Sequence, residues 1–229
     1  MRFRDRKEAG KLLAQSLREF ANQTQVVVLA LPRGGVPVAA EIAAALQVPL
    51  DVLPVRKLGA PGQEELAMGA IASGGARVLN DDVIQSLAIS PELVESVIER
   101  ELRELKRRER LYRGTRPAAK LANHTVILVD DGLATGSTMQ AAVNAVRLQH
   151  PARIVVAVPV AAESSCQAFN GPDEGLTCVC ETAVEPFYAV GLWYENFDQT
   201  TDSEVCELLN RTWHRNSHRK AKGKQKERV

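Results

Sequence analysis

The sequence is short of cysteine patterns, long apolar runs and aromatic side chains. Its four cysteines, Cys166, Cys178, Cys180 and Cys206, include no CxxC pair, and no histidine cluster lies beside them. That spacing argues against a metal site and leaves the thiols as structural or incidental groups in a reduced, cytoplasmic setting. No apolar run is long enough to span a bilayer, so no membrane partner is expected. The charged start Met1-Arg2-Phe3-Arg4-Asp5-Arg6-Lys7 has no apolar stretch behind it and does not read as a secretory signal. A GxGxxG fingerprint is missing, and no Gly-Lys-Ser/Thr closes a glycine loop, which argues against a dinucleotide site and a nucleotide P-loop. Internal repeats are absent. Aromatic residues make up 4% of the chain, and the charges nearly cancel, with 29 Lys and Arg against 28 Asp and Glu. This is the composition of an ordinary globular protein, and the length of 229 residues suits one domain with a small appendage.

What is present is concentrated in one run, Val126-Ile127-Leu128-Val129-Asp130-Asp131-Gly132-Leu133-Ala134-Thr135-Gly136-Ser137-Thr138-Met139. An apolar stretch of strand length ends in two adjacent carboxylates. A short Gly/Ser/Thr loop follows, and then a helical pattern. The C-terminal end of a strand is where open α/β sheets expose their ligand crevice. A loop at a helix N-terminus presents backbone N–H groups to an anion such as phosphate. Two neighbouring carboxylates can bind adjacent sugar hydroxyls, directly or through hydrated magnesium, which prefers oxygen ligands. Together these parts describe a site for a phosphorylated sugar.

A second turn, Leu31-Pro32-Arg33-Gly34-Gly35-Val36-Pro37, follows the fully apolar stretch Val26 to Leu31. Two glycines at a helix start expose amides, and Arg33 adds a positive fork suited to phosphate oxygens. The rest of the chain reads as alternating strands and helices. A helix is predicted from Asp5 to Phe20, a strand from Leu50 to Val55, and a helix from Pro91 to Tyr112. Further strands are predicted at Ile154 to Val160, at Leu176 to Cys180 and, last, at Phe187 to Gly191. A final helix is capped by Thr201 to Glu204. The segment Arg56 to Glu65, rich in glycine and charge, reads as a mobile loop, and residues 66–79 as a hairpin. From His214 onward the chain carries seven Lys and Arg and one Glu. That tail reads as a solvated, disordered extension in preference to a nucleic-acid contact.

The Asp-Asp and Ala-Thr-Gly-Ser-Thr run resembles the phosphoribosyl diphosphate (PRPP) motif of the type I phosphoribosyltransferases. Residues 55–62 and the Trp-Tyr-x-x-Phe segment are also similar to those of small bacterial phosphoribosyltransferase-domain proteins. The resemblance implies a parallel-sheet α/β, Rossmann-like fold with an inserted hairpin-plus-helix hood or flap at residues 57–120. The domain would span 1–213, with the basic tail at 214–229. It implies transfer of a phosphoribosyl group from PRPP to a nitrogen acceptor, with Mg2+ as cofactor and release of pyrophosphate. Asp130 and Asp131 would be the catalytic pair and would hold the ribose hydroxyls or magnesium, the metal directly or through water. Ala134, Thr135, Gly136, Ser137 and Thr138 would take the 5-phosphate. Arg33, Gly34, Gly35, Arg56 and Lys57 would take the pyrophosphate. Trp193, Tyr194 and Phe197 would lie near the acceptor, with at least two of the three serving as packing. Hypoxanthine-type relatives carry a carboxylate where this chain has Ala134, so this loop offers no general base; Glu64 or Glu65 of the mobile loop could substitute. A homodimer is the expected assembly. The rival expectation is a non-catalytic PRPP sensor that binds nucleic acid through its basic tail.

Overall fold

Val26–Ala30 and Thr125–Val129 carry apolar, mostly β-branched residues at successive positions, the pattern of strands covered on both faces. In a computed structural model, which describes residues 2–171 and 175–213, both are central strands of a parallel sheet. The sheet order is β2 (Leu50–Val52), β1 (Val26–Ala30), β6 (Thr125–Val129), β7 (Arg153–Ala162), β8 (Leu176–Val184). The chain runs from β1 outward to β2, then returns on the other side of β1 to lay down β6. The strand order therefore reverses between β1 and β6, and the crevice at such a switch point is where ligands of open α/β sheets bind.

Alternation along the strands feeds two cores. Val26, Val28 and Ala30 face a layer made by α1 (Arg6–Ser16), α2 (Gly35–Leu46) and α7 (residues 202–213). Val27, Leu29, Val126 and Leu128 face a layer made by α5 (Ser137–Arg147) and α6 (Glu163–Ala168). The helix starts form as their sequences dictate. Asp5 caps α1 by accepting from the Glu8 amide at 2.8 Å. Thr201 and Glu204 form a reciprocal capping box, Thr201 N–H to Glu204 Oε2 at 2.8 Å and Glu204 N–H to Thr201 Oγ1 at 3.2 Å.

The insertion carries its own small core. Strands β3 (Val55–Ala60), β4 (Gln63–Ala72) and β5 (Arg77–Leu79) form an antiparallel sheet, followed by α3 (Asp81–Ser86) and α4 (Pro91–Arg113). Leu58, Ala60, Met68 and Ile71 pack there against Val94, Val97, Ile98 and Leu105 of α4. The segment expected to be an irregular loop, Arg56 to Glu65, thus forms most of a paired hairpin. Its glycine content has a packing cause. A Cβ on Gly59 would come within 2.5 Å of the Glu64 carbonyl, beside a bulge at Leu58 to Ala60. The expected last strand at Phe187 to Gly191 is also different: Val190–Trp193 is a 3-10 turn. Its Val190 side chain lies against Gly132, where an added Cβ would meet it at 2.5 Å, so the segment folds over the loop after β6 instead of extending the sheet. The basic tail, residues 214–229, lies outside the described residues. No helix among the described residues is long and apolar enough to cross a membrane.

Candidate active site

Two loops leave the sheet side by side at the switch point. The Leu31 amide donates to the Val129 carbonyl at 2.9 Å, which holds the turn after β1 against the end of β6. The Pro32–Arg33 peptide is cis. The next two residues are glycines packed against the acid pair. A Cβ on Gly34 would lie 2.0 Å from Asp131 Oδ2, and one on Gly35 would lie 2.5 Å from the Val129 carbonyl oxygen. The structure therefore brings Gly34 and Gly35 into contact with the acid pair, although 95 positions separate Gly35 from Asp130 in the sequence.

Asp130 and Asp131 follow β6 directly. The Asp131 amide donates to Asp130 Oδ1 at 2.8 Å. Arg6, in the first turn of α1, donates from Nε and from Nη2 to Asp131 Oδ2, each at 2.8 Å. Its Nη1 donates to the Asp198 carbonyl at 2.8 Å, and its guanidinium lies 3.9 Å from the centre of the Phe197 ring. From below, the Tyr194 hydroxyl donates to the Asp131 carbonyl at 2.6 Å. Burial pushes both carboxyls above the usual range; the Asp131 charge pushes Asp130 further, while Arg6 draws Asp131 part of the way back. Burial also raises the Tyr194 phenol, which keeps it a donor. Tyr194→Phe is expected to destabilise the protein by about 1 kcal/mol through loss of that bond, read as a lower melting temperature. An unchanged melt would remove Tyr194 as a support of the pair.

The loop after the pair is pinned from the other side. The Leu133 amide donates to Val160 at 2.9 Å, and Ala162 donates back to Leu133 at 2.8 Å. Ser165 Oγ of α6 donates to the Ala134 carbonyl. Gly136 adopts φ +74°, a left-handed conformation, and the Phe169 ring lies 3.3 Å from where its Cβ would be. Ala134, Thr135, Ser137 and Thr138 are exposed, and α5 starts at Ser137. The loop thus offers hydroxyls and the unpaired first amides of an 11-residue helix to solvent. Gly136→Ala is expected to cost about 1 kcal/mol, a fall of about 2–4 °C in Tm, because an L residue resists this φ. Equal melts for variant and wild type would contradict it.

The other expected residues are placed less uniformly. Arg33 lies 3.9 Å from Asp202 at the start of α7, a carboxylate that also accepts the Tyr112 hydroxyl at 2.6 Å. Arg56 is tied to the insertion: its Nε and Nη2 reach Glu101 of α4 at 2.8 and 2.5 Å. Lys57 is exposed on β3, and Glu64 is exposed on β4. Tyr194 is buried between Phe3 and Phe197, as packing, while Trp193 is half-buried and accepts the Phe3 amide on its carbonyl at 2.8 Å. Sequence reasoning missed Arg6 altogether. A signal was there: a cation in the first turn of a helix opposes the helix dipole, and so calls for a partner elsewhere. A recess of about 350 Å³ lies beside Arg6 and Lys7 against Asp198, Glu204 and Arg211. Neither aspartate of the pair lines it, so the chemistry is placed by the residues and not by the size of the hollow.

Five parallel strands with an inserted antiparallel unit and an acid pair at the switch point define the class of fold. Comparison with known proteins agrees. The model of the phosphoribosyl transferase domain matches residues 5–186. Two Mycobacterium tuberculosis proteins, from strains CDC 1551 and H37Rv and each named "Putative phosphoribosyl transferase", are 45% identical over 209 residues. Those matches cover 91% of this chain and 46% of each relative, so the chain spans about half the length of the curated relatives it matches. The crystal structure of TT1426 from Thermus thermophilus is similar at 41% identity and a TM-score of 0.80, covering 91% of this chain and 98% of that one. The chain belongs to the phosphoribosyl transferase domain family.

Proposed function

We propose that this chain transfers a phosphoribosyl group from PRPP to a nitrogen acceptor, in the presence of magnesium, and releases pyrophosphate. The observation that carries this is the order of groups across the switch point. An anion-binding loop (Ala134 to Thr138) stands on one side of a carboxylate pair, and a glycine turn with an arginine (Arg33 to Gly35) stands on the other. PRPP has the same order, with a phosphate, a vicinal diol and a pyrophosphate. In this assignment the first amides of α5 and the Thr135, Ser137 and Thr138 hydroxyls hold the 5-phosphate. The Asp130 and Asp131 carboxylates hold the ribose hydroxyls, and Arg33 with the amides at Gly34 and Gly35 faces the pyrophosphate.

The donor set suits magnesium. The pair supplies hard oxygen atoms, and no group of three or more potential metal ligands occurs among the described residues. Magnesium is commonly held by one or two carboxylates, with water and substrate phosphates completing its shell. Asp130 and the free oxygen of Asp131 are the residues that would hold it, and it would offset charge on the pyrophosphate. The chain's own part is positional. Arg6 fixes one oxygen of Asp131 and leaves the other for substrate. The turn at Val190–Trp193 covers Gly132 beside the pair, and in this assignment it would help to keep water from the anomeric carbon, where positive charge develops as pyrophosphate leaves. An acceptor nitrogen then attacks from the face opposite the leaving group.

The test is pyrophosphate release from PRPP and Mg2+ across a panel of nucleobases. Asp131→Asn is expected to lower turnover at least tenfold, about 1.4 kcal/mol. A folded variant with near-normal turnover would remove Asp131 from the site.

A further inference from the structure

Three of the four cysteines, dispersed in the sequence, meet at one point. Cys178 and Cys180 are alternate residues on β8, the edge strand, and so share a face. That face carries α6, and Cys178 and Cys180 pack in the same cluster as Cys166 of α6, the Cys180 thiol donating to the Thr182 carbonyl at 3.2 Å. Cys166 is 9% exposed, while its two neighbours are half-buried on the sheet edge, within reach of a small solute. All are free thiols, and no metal-holding group of three occurs among the described residues. The cluster also lies against the phosphate loop. Ser165, next to Cys166, donates to the Ala134 carbonyl, and Phe169 at the end of α6 backs Gly136. Asn170 Oδ1 accepts the Cys178 amide at 2.6 Å and ties the other end of this turn to β8.

We propose that Cys166, Cys178 and Cys180 form an oxidation site beneath the phosphate loop, where a hydroperoxide joins Cys166 to one of the two strand cysteines. The neighbouring Cys178 thiol favours the Cys166 thiolate and lowers its pKa, while Cys178 and Cys180 are held up as thiols. The thiolate attacks one oxygen of hydrogen peroxide; the O–O bond breaks, a sulfenic acid forms, and the hydroxide that leaves takes a proton from solvent to become water. The thiol of Cys178 or Cys180 then attacks that sulfur. The S–O bond breaks, a second water leaves with the thiol proton, and the disulfide forms. The two sulfurs together lose two electrons, which the peroxide accepts. A disulfide brings the sulfurs to about 2.05 Å, closer than any hydrogen-bonded pair of thiols. α6 must move toward β8, and the Ser165 and Phe169 contacts move with it. A shift of about 1 Å in a binding loop is enough to weaken its ligand strongly.

The test treats the full chain with stoichiometric hydrogen peroxide and maps peptides without reduction. The expected product links Cys166 to Cys178 or Cys180, with Cys206 left out. Amide exchange across residues 133–138 is expected to become about tenfold faster, and dithiothreitol to restore it. Cys166→Ser should abolish both changes, and Cys206→Ser should leave both. If Cys166→Ser does not fold, Cys178→Ser/Cys180→Ser serves the same purpose, since it leaves no resolving thiol. Cys166 remaining reduced would overturn the site. A disulfide that leaves loop exchange unchanged would overturn its coupling to the loop. Neither readout needs PRPP, so both are independent of the proposed transfer activity.

Discussion

Gly34→Ala is expected to fold with near-normal stability and to lose about a hundredfold in kcat/KM for PRPP. The three atoms nearest to a Cβ at this position, at 2.0 to 3.3 Å, all belong to the Asp131 carboxylate. A side chain can swing aside, but Arg6 holds this one through two bonds to Oδ2. The carboxylate must therefore leave its place by an ångström or more, and misplacement on that scale typically costs about 10²-fold. Gly35→Ala provides the contrast. Its Cβ would lie 2.5 Å from the Val129 carbonyl and 2.9 Å from Asp130 Cα, which are main-chain atoms that cannot rotate away. Overpacking of this kind costs about 1–3 kcal/mol, and Tm falls by about 2–4 °C for each kcal/mol. Thermal melts and steady-state kinetics on both variants separate the two cases. Normal kinetics in Gly34→Ala would show that the position of Asp131 does not matter to the donor.

Asp130→Asn is expected to stabilise the unliganded protein while removing donor binding. Burial raises the Asp130 carboxyl, and the neighbouring Asp131 charge raises it again. The folded state therefore holds this proton more tightly than the unfolded chain, whose aspartates titrate near about 3.9. Below that pH the group is protonated in both states and has no effect. As pH rises from there through the raised folded value, the unfolded state releases its proton first and stability falls. The full penalty applies above that value. Asparagine keeps an Oδ1 acceptor for the Asp131 amide and carries no charge. The variant should thus melt higher at neutral pH, by about 2–4 °C for a gain of about 1 kcal/mol, and the difference should vanish in acid. A variant that melts lower at neutral pH would mean that Asp130 is there for structure and not for ligand. Groups held at a cost in stability are characteristic of binding sites.

The parts of the fold legible in the sequence were those decided locally. β1 and β6 announced themselves because five successive apolar positions need cover on both faces. Asp130-Asp131 and the Gly136 loop could be read because a strand end and a helix start sit within a few residues. The helix at Pro91 was predicted to within a residue at its far end, where Arg113 is the last helical position. What failed depended on neighbours far along the chain. The segment from Arg56 to Glu65 lacks an obvious apolar face because Gly59 is needed where backbones approach closely, and its anchor, Leu58, finds its partners on α4. Arg6 could not be assigned because Asp131 is 125 positions away. Arg56 read as a ligand for anions because Glu101, 45 positions on, was not visible as its partner. The cysteines read as scattered because the packing of α6 on β8, which sets Cys166 in one cluster with Cys178 and Cys180, is a contact between elements that neither one's own pattern shows.

The measurement that bears most directly on the central claim is calorimetric titration of PRPP into the protein with and without Mg2+. It should be run beside the double variant Asp130→Asn/Asp131→Asn. Magnesium-dependent binding to the wild type, lost in the folded double variant, is the predicted result. Binding that is equal in the two proteins would contradict the account, since the acid pair at the switch point would then not be where the sugar is held.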